Sequence, residues 1–176
     1  MADPPKTVHV AEYHPAWPER FRFLARRAAE AIGERVLAVE HVGSTSVPGL
    51  AAKPIIDLAV LVRPEDVPHA IERLAALGYV HEGNKGIPGR EAFRTPPGEE
   101  KHHLYVCIPE SASVRDHLLF RDYLRAHPDV AREYAELKRR LAEQYRHDSE
   151  GYQDAKRPFI EEVTERAAAE ASPGAS

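Results

Sequence analysis

The segment Val39-Glu-His-Val-Gly-Ser-Thr-Ser-Val-Pro-Gly-Leu-Ala-Ala-Lys-Pro-Ile-Ile-Asp-Leu-Ala-Val60 gathers the residues of this chain best suited to chemistry. A Gly-Ser pair just after a strand frees main-chain N–H groups for an anion. Gly43 permits close approach, and Ser44 and Ser46, with Thr45 between them, offer hydroxyls. A short helix starting near Ser46 would add positive potential from its N-terminus. The same composition also suits a plain strand-to-strand turn, so the pair alone does not decide. Asp57 adds weight, because a carboxylate inside an apolar run is costly to bury without a partner and calls for a cation or a base. Lys53, on the approach to the same strand, either neutralises Asp57 or reaches a ligand phosphate. A purely structural Asp-Lys or Asp-backbone link is the alternative.

These residues need elements to hold them. Residues 36–42 and 54–62 are aliphatic runs of strand length, and the second is apolar at nearly every position, as in a buried central strand. Ahead of them, Phe21, Leu24, Ala25, Ala28 and Ile32 recur at helical spacing over residues 18–32. Residues 65–77 read as a second helix, closed by Gly78. Short strands follow at 79–82 and 91–95, on either side of a loop rich in Gly, Pro and basic residues, and 102–108 alternates as a further strand. From Ser113 onward the pattern is helical only. Ser113 and Asp116 stand at capping-box spacing, Pro128 forces a restart, and stripes at Val130, Tyr134, Leu137, Leu141, Tyr145 and at Tyr152, Ala155, Phe159, Ile160, Val163 define two more helices. The expected fold is one α+β domain: a small mixed sheet of four to five strands, an N-terminal helix and a C-terminal helical group, ordered over about 8–166 with loose ends.

Composition narrows the partners. The chain has 176 residues, 43% hydrophobic and 30% charged, and a formal net charge of -4, which speaks against bulk nucleic-acid binding. Its single cysteine, Cys107, cannot close an internal disulfide. Neither a membrane-length apolar run nor a signal-peptide pattern is present, so a cytosolic setting is expected.

The run Glu40 to Asp57, with the later His102-His-Leu-Tyr-Val and Phe120-Arg-Asp-Tyr-Leu-Arg, resembles the GrpB family, over about residues 8–166. That family is placed in the nucleotidyltransferase superfamily with its polymerase-β-like palm. The resemblance implies a Gly-Ser turn that holds nucleotide phosphates, matched by Gly43 and Ser44, and a strand with two metal-binding carboxylates spaced two apart. Asp57 matches the first; Ala59 stands at the second and offers no oxygen.

A substitute ligand would come from Glu40 or from His103, which shares a strand face with Tyr105. The expected metal set is therefore Asp57, Glu40 and His103, holding Mg²⁺ or Mn²⁺, or Zn²⁺ if imidazole takes part. Phosphate contacts are expected from Gly43, Ser44, Thr45, Ser46, Lys53 and Arg94, with Arg90 as a further loop cation. Asp57, Lys53 and His103 are the catalytic candidates. Lys138 and Lys156 fall within helices, and their spacing is read as packing and surface ion pairs. Two functions compete: a metal-dependent nucleotidyl transferase, and a module that binds a nucleotide or phosphorylated metabolite without turnover. A docking protein that uses its helices would leave Asp57 without a role.

Overall fold

Helix α1 (Trp17–Ile32) opens the computed structural model, which describes residues 7–172 and residue 174. A proline in its first turn presets the backbone, and Leu24, Ala28 and Ile32 bury one stripe. Five strands follow: β1 (Ala38–Val42), β2 (Ile56–Leu61), β3 (Val80–His81), β4 (Arg90–Arg94) and β5 (His102–Cys107). They form one sheet in the order β1-β2-β5-β4-β3, with β2 and β5 parallel and every other pair antiparallel. Helix α2 (Val67–Ala76) bridges β2 and β3. It starts two residues later than expected, because Pro64–Asp66 forms a separate 3₁₀ turn.

The α+β architecture matches expectation, but the centre of the sheet does not. β5, not β2, is the middle strand, because it inserts parallel to β2 and separates it from the β3–β4 hairpin. Insertion of this kind depends on long-range pairing that local periodicity does not encode.

Alternation divides the sheet cleanly. Ile56, Leu58 and Val60 of β2 and Leu104 and Val106 of β5 face α1 and α2 in the main core. Leu58, Val60 and Leu104 are fully buried, and each such side chain contributes about 1.5–3 kcal/mol. The intervening residues Asp57, Ala59, His103 and Tyr105 face the opposite side, toward α3 (Ala112–Ala126), α4 (Pro128–Gln144) and α5 (Ser149–Ala171). These helices pack through a second core that includes Val47, Leu50, Tyr123, Tyr134 and Val163.

The cap of α3 is Ser111, whose Oγ accepts from Val114 N at 3.4 Å, rather than Ser113. Residue 111 is still extended while 112 is already helical. The chain is also ordered beyond residue 166: α5 continues to Ala171 with Ala167 buried, because alanine is the strongest helix former. The sequence predicts loose ends at residues 1–6 and 167–176; of these, 167–171 are helical, and 1–6, 173 and 175–176 lie outside the described residues. Among the described residues, no helix is long and apolar enough to cross a membrane.

Candidate functional site

The turn between β1 and β2 is built around Gly43, which adopts φ 73°. A side chain there would collide with the Asp57 carboxylate, so only glycine lets the turn lie against the strand. Ser44–Ser46 then forms a single 3₁₀ turn. Two of its three hydroxyls serve the fold. Thr45 Oγ1 bonds His41 Nε2 at 2.9 Å, and Ser46 Oγ donates to the carbonyl of Gly43. Arg125 of α3 fastens the turn from outside, donating to the Ser46 carbonyl at 2.8 and 3.0 Å. Ser44 remains, its side chain beside the Tyr134 hydroxyl.

His41 stacks on Phe21 with ring centroids 4.5 Å apart. Burial, together with the charges of Arg125 and Arg121, lowers its pKa to about 4, so it stays neutral and structural. His102 is structural too: its Nδ1 donates to the Glu100 carbonyl and its Nε2 meets the Tyr79 hydroxyl at 2.6 Å on the α1 side of the sheet.

His103 faces the helical side. Its Nδ1 lies 2.8 Å from Asp57 Oδ1, across the parallel register that pairs the two residues. A carboxylate only accepts, so the Nδ1 proton points at Asp57 and fixes the ring's orientation. Asp57 thus has an imidazole partner and a main-chain neighbour in Gly43.

Beside this pair opens a cavity of about 430 Å³, a size suited to a small ligand. Gly43, Ser44, Thr45, Lys53, Asp57 and His103 all line it, so one cleft gathers most of the residues expected from sequence. Three expected residues stand apart from it. Ser46 is turned back onto Gly43. Arg94 is exposed on β4 and paired in register with Val80 on the outer strand. Glu40 shares the Asp57 face but is held by Arg121 of α3 at 2.7 Å and is not among the residues that line the cavity.

The far wall corrects the reading of the helical lysines. Lys138 and Lys156 line the cavity, and among the described residues neither has a carboxylate within salt-bridge distance. Lys138 is 2% exposed, and its ammonium sits 4.5 Å from the Tyr134 ring. Burial, with Lys156 and Arg139 nearby, lowers its pKa to about 7. Lys53 and Lys156 flank the buried ring of Tyr152 at 4.7 and 4.5 Å. Burial and the neighbouring Lys53 bring Lys156 down to about 8, and burial also lowers Lys53. Arg90, on β4, enters the cavity with its guanidinium 4.6 Å from the Tyr105 ring.

Among the described residues, two buried side-chain polar atoms lack a hydrogen-bond partner, Arg90 Nε and Lys138 Nζ. Both belong to residues that line this cavity. A signal for the lysines does exist in the sequence: Lys138 and Lys156 each lie four residues after a tyrosine of an apolar stripe, a spacing that puts them on the buried face of the helix.

A family model described as GrpB protein matches residues 7–166. The Bacillus subtilis protein YqkA is 39% identical over 165 residues, which cover 93% of this chain but 48% of that protein, so the chain spans about half the length of this relative. The crystal structure of conserved protein GrpB from Enterococcus faecalis superposes with a TM-score of 0.85 at 37% identity, covering 93% of this chain and 99% of the other. The Cid1 poly(U) polymerase shares the fold at a TM-score of 0.57 and 14% identity, over 83% of this chain and 49% of its own.

Proposed function

The chain belongs to the GrpB protein family, and from that premise we propose that its cavity binds a nucleotide or another phosphorylated small molecule. The observation that carries this reading is the pair of unpartnered cationic donors, Arg90 Nε and Lys138 Nζ, in the cavity that the Gly43–Ser44 turn also lines. Buried donors without partners are rare in folded proteins and carry a desolvation cost that an anionic ligand would offset. Gly43 keeps the turn free of side-chain bulk at its contact with Asp57, and Ser44, which lines the same cavity, bonds the Tyr134 hydroxyl.

The residues do not fit a resident divalent metal. Among the described residues no group of three or more His, Cys, Asp or Glu side chains could hold one. Asp57 is engaged by His103, Glu40 by Arg121, and residue 59 is alanine. The cavity's other carboxylate, Asp116, lies beside Arg115, and carboxylates already paired make a weak site for hard Mg²⁺ or Mn²⁺.

Binding without turnover is therefore the first reading. The second is nucleotidyl transfer, favoured by Asp57, which keeps the strand position beside the phosphate turn and is part-exposed at 23%. In it, Asp57 and His103 would meet a metal delivered with the nucleotide.

A thermal-shift panel of nucleoside mono-, di- and triphosphates, with and without Mg²⁺, Mn²⁺ and Zn²⁺, tests the proposal. Stabilisation should grow with ligand concentration as expected for a ligand bound only by the native state, and Ser44→Ala should weaken it. If no phosphorylated compound shifts the midpoint at millimolar concentration, the phosphate reading fails. Stabilisation that requires metal would favour the transferase.

A further inference from the structure

Building on the reading of the cavity as a phosphate site, we infer that it takes its ligand as a metal-free polyphosphate chain, neutralised by the ammonium groups of Lys53, Lys138 and Lys156. The argument begins with charge. The cavity is lined by Lys53, Arg90, Lys138 and Lys156, with the imidazoles of His103 and His117, against two carboxylates, Asp57 and Asp116. Asp57 is shared with His103. Among the described residues none of the three lysines has a carboxylate within 4.0 Å; each has instead a tyrosine ring, with Lys138 on Tyr134 and both Lys53 and Lys156 on Tyr152.

Such a wall is not a solvated surface. The lysines come from three separate elements, the approach to β2, α4 and α5, and they converge on one space. Lys138 is almost wholly enclosed, with an ammonium that has no hydrogen-bond partner. Cation–π contact compensates an ammonium only in part. The lowered pKa of Lys138 fits an ammonium that still needs a counter-charge; Lys156 is lowered too, by burial and Lys53, against the opposing charge of Asp57.

A single phosphoryl group carries about −1.5 to −2 charges and could not match three ammonium groups and a guanidinium, whereas a chain of two or three could. A divalent ion on that chain would cancel the charge the lysines require and compete with them for the same oxygens. The missing second carboxylate at Ala59 and the lysine wall are thus two sides of one arrangement: cationic side chains occupy the role a bound cation would have.

Calorimetry with inorganic orthophosphate, pyrophosphate and tripolyphosphate, first in EDTA and then in excess Mg²⁺, tests this. Tripolyphosphate should bind in EDTA at least about tenfold tighter than orthophosphate, and Mg²⁺ should leave its affinity unchanged or reduce it. Lys138→Met should lower tripolyphosphate affinity about tenfold or more while the thermal midpoint of the free protein holds or rises. Lys156→Gln, at a less enclosed position, should show the same loss and guards against a folding artefact in the first variant. Binding of tripolyphosphate only in Mg²⁺, or unchanged affinity in both variants, would overturn the inference and leave the phosphate reading standing. If neither tripolyphosphate nor any nucleotide binds under either condition, both fall together.

Discussion

The carboxylate of Asp57 fills the space that any side chain on Gly43 would need. The Gly43–Ser44 turn and the strand acid are therefore one interlocked unit. Gly43→Ala meets two penalties, the left-handed φ of 73° and the collision with Asp57. It should cost about 1–3 kcal/mol of stability and displace the Asp57–His103 pair. Urea unfolding checks the first effect and the His103 ring resonances check the second. A variant with wild-type stability and an unmoved His103 would show that the turn is looser than described.

Asp57→Asn replaces the acceptor that orients His103. An amide can donate as well as accept, so the preference for a proton on Nδ1 should disappear, and ¹⁵N spectra of the imidazole report this directly. The cavity also loses a negative charge. Metal-free binding of a nucleoside triphosphate should then hold or strengthen, by up to about tenfold. A loss of more than tenfold in EDTA would mean that Asp57 itself contacts the ligand.

Lys138 links the site to stability. Its pKa in the folded chain, about 7, lies below the ordinary 10.5. Between those values the unfolded chain holds a proton that the folded chain has released, so this group makes stability rise with pH from about 7 to about 10.5. Its penalty is full below pH 7. Lys138→Met should stabilise the free protein near pH 6.5 by about 1–4 kcal/mol and flatten that rise. Urea unfolding at pH 6.5 and 9 measures both, and a variant less stable than wild type at pH 6.5 would reveal an unrecognised counter-charge.

His41 acts in the acid range. Its pKa, lowered to about 4 by burial and then by Arg125 and Arg121, sits below the ordinary 6.5. As pH falls from 6.5 toward 4 the unfolded chain is protonated first, so this residue withdraws stability over that window, on the order of 2–3 kcal/mol in all. Proton NMR should find its ring neutral down to about pH 4. His41→Gln should reduce the acid slope relative to wild type, and an unchanged slope would place the acid sensitivity elsewhere.

The local half of this site was legible along the chain because it is local. A Gly-Ser turn and a lone carboxylate in an apolar strand lie within fifteen residues of each other, and their types constrain the backbone directly. Alternation likewise put His103 and Tyr105 on one face and His102 on the other, as β5 has them. The helical stripes foretold α3, α4 and α5, and the periodicities foretold the α+β class.

What lay beyond the sequence were relations between distant residues. The parallel insertion of β5 brings His103 to Asp57, 46 positions away. The packing of α3 on β1 pairs Glu40 with Arg121, 81 positions away. Above all, the tyrosine spacing marks a packed helix face for Lys138 and Lys156 but does not tell a packed core from a cleft. Only the docking of α4 and α5 across the second face of the sheet encloses Lys138 and Lys156, because burial is a property of what packs against a residue rather than of the residue itself.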